Sequence, residues 1–121
     1  MTRPSHKELE RKIREAKSLA ANGSISVVEP DSIAADALEL GYLLESLPDV
    51  VSEILHEVKA ENYAGNRPPQ RSYERDIIDC ELFAFSWESK RFGCKIYLKF
   101  TIKDHTMWLV SLHEHRESKH E

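Results

Sequence analysis

The chain has 121 residues, of which 40% are hydrophobic and 31% charged, enough for one modest core, so residues 1–121 read as a single domain. The net charge of −4 argues against indiscriminate nucleic-acid binding, but the charge is uneven: −5 over residues 1–63, +3 over 64–103 and −2 over 104–121. There is no signal peptide, lipidation motif or long apolar run, and Cys80 and Cys94 lack redox or metal spacing, so a reduced cytoplasmic protein with no membrane partner is expected.

Taken in order, residues 5–22 predict a helix. Ser5 and Glu8 make a capping-box pattern, Gly23 is a natural stop, and Leu9, Ile13, Ala16 and Ala20 form a narrow apolar stripe. Lys7, Arg11, Lys12, Arg14 and Lys17 make up a basic opposite side, diluted by Glu8, Glu10 and Glu15. Ile25–Val28 is β-branched and predicts a short edge strand. After Pro30, Asp31 or Ser32 is expected to cap a helix ending at Leu40 and Gly41. Leu47-Pro48-Asp49 opens a third helix that buries Val51, Ile54, Leu55 and Val58.

Residues 61–73 are irregular, since Pro68-Pro69 excludes both regular helix and central strand. The proline pair stiffens this loop and fixes where Arg67, Gln70, Arg71 and Tyr73 project, a setting that suits either a binding loop or a surface connector. Residues 79–88 predict a strand with Phe83, Phe85 and Trp87 on one face. A turn over 89–93 carries Lys90 and Arg91. The polar end of the chain, 116–121, and residues 1–4 are expected to be flexible.

The stretch 95–113 predicts a hairpin. Ile96, Leu98, Phe100 and Ile102 alternate with Lys95, Tyr97, Lys99, Thr101 and Lys103. A two-residue loop at Asp104–His105 pairs Lys103 with Thr106 and sets Tyr97 opposite Leu112. A three-residue loop, Asp104–Thr106, pairs Lys103 with Met107 and sets Tyr97 opposite His113. A one-residue slip flips every side chain. The second register is favoured because it gathers Trp108, Val110 and Leu112 with the apolar face of the first strand. Tyr97, Lys99, Thr101, Ser111 and His113 then share the open face. A phenol, an ammonium and an imidazole together suit proton transfer beside an anion; an ordinary solvated sheet face has the same composition.

The expected fold is α+β, with the N-terminal helices on one face of a small antiparallel sheet ending in a β-meander. No phosphate-loop, dinucleotide or nucleophile-elbow motif is present. His105, His113, His115 and His120 have no obvious acid or cysteine partner, so neither a metal site nor a cofactor is expected.

Three stretches carry a family resemblance: AKSLAANGSISVV (16–28), ALELGYLLESLPDVVSEI (37–54), and IYLKFTI with LVSLHEH (96–102 and 109–115). In order and spacing they resemble the MqsR toxins of the wider RelE-like messenger-RNA interferase superfamily. The resemblance implies a RelE-like fold and a metal-independent endoribonuclease that cleaves mRNA and is silenced by a cognate antitoxin protein. It places a family tyrosine on Tyr97 and a family lysine on His113. A second family lysine falls near Tyr63-Ala64 and a family glutamine near Cys80, and neither is present. RNA transesterification needs a base, an acid and a cation. Tyr97 and His113 are the expected catalytic residues. Arg67, Gln70, Arg71, Tyr73, Lys90, Arg91 and Lys99 are candidates for holding RNA or stabilising phosphate charge. A non-catalytic RNA-binding module using Phe83, Phe85 or Trp87 as stacking platforms is the alternative, as is a protein-interaction domain whose acidic first half meets a basic partner.

Overall fold

The computed structural model describes residues 4–115, so the stretch 116–121 and residues 1–3 lie outside the described residues. Pro4, expected to be flexible, is buried, and its carbonyl accepts a hydrogen bond from Arg67 at 3.2 Å.

The first helix, α1, spans His6–Ala21 and buries Leu9, Ile13, Ala16 and Ala20, the expected stripe. The Ser5 hydroxyl caps it by accepting from the Glu8 amide at 3.1 Å. Strand β1 (Ile25–Val27) follows, then α2 (Pro30–Leu40). The cap of α2 differs from the expectation: Glu29 is the N-cap and Pro30 lies in the first turn, because a ring with no N–H and a fixed φ suits that position. Gly41 closes α2 at φ 86°, a left-handed conformation that glycine adopts without a Cβ penalty. A 3₁₀ turn leads into α3 (Leu47–Leu55), which buries Leu47, Val50, Val51, Ile54 and Leu55.

The architecture is α+β. Strands β2 (Phe83–Ser89), β3 (Cys94–Lys103) and β4 (Thr106–Glu114) form an antiparallel meander. The sheet order is β1-β4-β3-β2, and β1 pairs with β4 in parallel, so the sheet is mixed rather than wholly antiparallel. The three helices and one sheet face enclose a single core that includes Phe85, Leu98, Phe100, Met107, Leu109 and Leu112. Phe83, Phe85 and Trp87 are 2%, 0% and 6% exposed, which removes them as base-stacking platforms. Burying three aromatic rings yields more than any surface role, since each carries a large apolar area. Trp87 also donates its indole N–H to Glu57 at 2.9 Å.

The β3–β4 register is reached by a different route from the expected one. The turn is the two-residue loop Asp104–His105, with φ 53° and 58°, and Lys103 pairs with Thr106. Positive φ at both central residues is the turn geometry that matches strand twist. A β-bulge then leaves Val110 unpaired: Phe100 faces Leu109 while Lys99 faces Ser111. The extra residue restores the pairing of Tyr97 with His113. It also corrects the faces near the turn. Met107 and Leu109 are fully buried there, and Trp108 and Val110 are only partly so.

Candidate functional site on the outer face of the sheet

The sheet face away from the helices falls into two halves. One half is roofed by residues 70–82. Strand-like pairing joins Gln70–Ser72 to Cys80–Leu82: the Leu82 amide donates to the Gln70 carbonyl at 2.8 Å, and Ser72 and Cys80 pair at 2.9 Å. Thr101 Oγ1 donates to the Glu81 carbonyl at 2.6 Å, and Lys103 Nζ donates to the Asp76 carbonyl at 2.8 Å. Ile77, Ser72 and Thr101 are buried. Trp108, paired with Thr101, lies on this face, and its indole N–H is buried without a partner among the described residues.

The other half lies outside this cover, with half-buried side chains, and it holds the candidate site. Tyr97 and His113 are cross-strand partners whose rings stack with centroids 5.2 Å apart and planes 20° apart. His115, two residues further along, faces the same way and lies 6.4 Å from the Tyr97 ring. It reaches across β3, bringing its Nδ1 to 2.9 Å from the Ser86 hydroxyl of β2. Lys99 lies on the same face between Ala84 and Ser111. Burial raises the Tyr97 phenol above its ordinary value of 10.0, so it stays protonated at neutral pH.

Hydrogen-bond chemistry assigns the tautomers. His113 Nδ1 lies 2.8 Å from the Glu114 carbonyl, which can only accept, so Nδ1 carries the hydrogen. Ser86 donates its one hydrogen to the Ile96 carbonyl at 3.0 Å, so it accepts from His115 Nδ1. Both imidazoles are therefore anchored through Nδ1, which leaves the Nε2 of each without a hydrogen-bond partner among the described residues. Two bases beside one phenol provide an acid, a base and a proton donor within one patch.

The structure brings Tyr97, His113 and Lys99 together and adds His115 and Ser86. In the sequence His115 was weighed only as a metal ligand. The available signal was its i+2 spacing from His113, which puts both rings on the Tyr97 face. Lys90 and Arg91 are not at this site. Arg91 Nε pairs with Glu53 of α3 at 2.9 Å, and its guanidinium lies over Phe92 at 5.0 Å. Lys90 lines a cleft of about 310 Å³ with His56, Glu57 and Trp87, on the helix side of the sheet. The turn curls toward α3 because Glu57 accepts from the Arg91 amide at 2.9 Å. Desolvation opposes ionisation of Glu57, but the Trp87 indole and the Arg91, Ser89 and Lys90 donors outweigh it and hold the carboxyl below its ordinary value.

The loop candidates are divided. Arg67 stacks over the Tyr63 ring at 5.0 Å and ties the loop to Pro4. Arg71 donates to the Asp79 carbonyl at 3.2 Å, within its own hairpin. Gln70 is exposed and helps hold the roof through its carbonyl. Tyr73 is 90% exposed. Among the described residues no group of three His, Cys, Asp or Glu side chains is placed to hold a metal ion, and no helix is long and apolar enough to cross a membrane.

In comparison with known proteins, no family model and no curated protein sequence matches this chain.

Proposed function

We propose that this chain is an mRNA-cleaving toxin of a type II toxin–antitoxin pair, a metal-independent endoribonuclease acting by acid–base catalysis at Tyr97, His113 and His115. The observation that carries this reading is the pair of imidazoles, each anchored through Nδ1, flanking a protonated phenol on a half-buried stretch of sheet face outside the 70–82 cover. The toxin setting and the antitoxin partner rest on the resemblance of the three stretches described above.

The chemistry follows from those groups. One Nε2 removes the 2′-hydroxyl proton, and O2′ attacks the adjacent phosphorus. The bond from phosphorus to O5′ breaks, and the other imidazole, protonated, delivers a proton to O5′. The products are a 2′,3′-cyclic phosphate and a 5′-hydroxyl. Tyr97 donates a hydrogen bond to a phosphoryl oxygen, and the Lys99 ammonium offsets the charge gathering there. Imidazole suits both roles because its charge changes between about pH 5 and 8.

The test is incubation of the purified protein with a long mRNA in excess EDTA, with both product ends mapped. The proposal expects cleavage to persist and to leave cyclic-phosphate and 5′-hydroxyl ends. Absence of cleavage contradicts it, as does loss in EDTA that one divalent ion restores. Growth arrest on expression, relieved by a neighbouring small open reading frame, is expected in cells.

A further inference from the structure

The described residues show five large hydrophobic side chains that are substantially exposed, and three fall in one seven-residue stretch: Leu38 at 82%, Leu43 at 67% and Leu44 at 44%. Single exposed leucines are ordinary, whereas a group of them marks an interaction surface. The group is held in place. Gly41 reverses the chain at φ 86°, and the amides of Gly41 and Tyr42 both donate to the Ala37 carbonyl, at 2.8 and 3.1 Å. The chain thus reverses directly after α2. Tyr42, between the leucines in sequence, is 8% exposed and packs its ring 6.0 Å from Phe92. The leucines therefore project from an anchored segment.

The sequence segment that carries them has charge of one sign. Residues 29–49 contain Glu29, Asp31, Asp36, Glu39, Glu45 and Asp49 and no Lys or Arg. A second copy of this chain is a poor occupant, because a two-fold contact would set these carboxylates against their own copies. We infer that the Leu38–Leu43–Leu44 surface docks a basic amphipathic helix of another protein, whose apolar stripe covers the leucines while Lys or Arg side chains meet the acidic rim. This surface is separate from the Tyr97–His113 site, and the inference stands or falls independently of the nuclease reading.

The experiment titrates the full chain with a labelled Leu/Lys amphipathic helical peptide of about 18 residues. A second peptide has Glu in place of every Lys. The expected result is saturable binding of the Lys peptide that weakens as salt rises. Leu38→Ser with Leu43→Ser should weaken it by at least about ten-fold, as should the change of Lys to Glu in the peptide. Melting curves check that the double variant is folded, which two exposed positions should allow. No binding of the Lys peptide, equal binding by the folded double variant, or equal binding of the Glu peptide each overturns the inference. Self-association of the wild type that the double variant abolishes also overturns it, by assigning the patch to a second copy.

Discussion

The two halves of the outer sheet face are built from the same strands and differ in what covers them. Toward the Asp104–His105 turn, residues 70–82 cover Thr101 and Lys103, and the polar groups there are committed to backbone carbonyls of the cover. Beyond the bulge at Val110, Tyr97, His113, His115 and Lys99 lie outside that cover and are half-buried. Alternation along a strand says which side chains share a face; it does not say whether that face becomes core or site. A second segment, distant in sequence, decides that. The covered half should therefore govern stability and the half outside the cover activity.

The largest stability effect is expected on the covered side. Ile77 is fully buried outside the main core, and Ile77→Ala should cost about 2–5 kcal/mol by chemical denaturation. Cleavage by the fraction that remains folded should be nearly unchanged. A large loss of activity per folded molecule would mean that the roof also shapes the site.

A smaller effect is expected outside the cover. Ser86→Ala removes the acceptor that fixes the His115 tautomer. Losing about 1 kcal/mol of orientation predicts a roughly five-fold fall in cleavage. Ser86→Thr should recover most of it, and the pH–rate profile of the alanine variant should shift while its melting temperature stays put. A change in melting alone would make Ser86 structural.

The smallest effect concerns the turn. Asp104 and His105 hold positive φ without being glycine, which is unfavourable for ordinary side chains. Asp104→Asn with His105→Gly should stabilise the protein by about 1 kcal/mol, because that pair prefers this turn. Destabilisation would contradict the two-residue loop.

These contrasts also explain what the sequence made legible. The helices were readable because their signals are local: the Ser5 cap, Pro48 and the glycines at 23 and 41. The pairing of Tyr97 with His113 was expected, but through a three-residue loop, when a tighter turn and one bulge produce the same register. A bulge has no local signature except a break in parity, here Met107 and Leu109 against Leu112. The parallel pairing of β1 with β4 joins segments about eighty residues apart in the chain, so no short-range pattern could report it. The roof was read as a stiffened binding loop or surface connector and the start of a strand, because Ser72 and Ile77 are isolated anchors among polar residues. Lys90 and Arg91 were grouped with the site by charge, but Glu53 and Glu57 draw their turn to the other side.

The central claim is that His113 and His115 divide the acid and base roles beside Tyr97. Its most direct test is single-turnover RNA cleavage across pH by the wild type, His113→Gln, His115→Gln and the double variant. Each single change should lower the rate by roughly 10²–10⁴-fold and abolish one limb of a bell-shaped profile. The double variant should lose little more than the worse single one, because the two act as a unit. Both positions are half-buried, so each rate is compared per folded molecule, with melting curves run beside it. Wild-type rates in a correctly folded double variant would contradict the account.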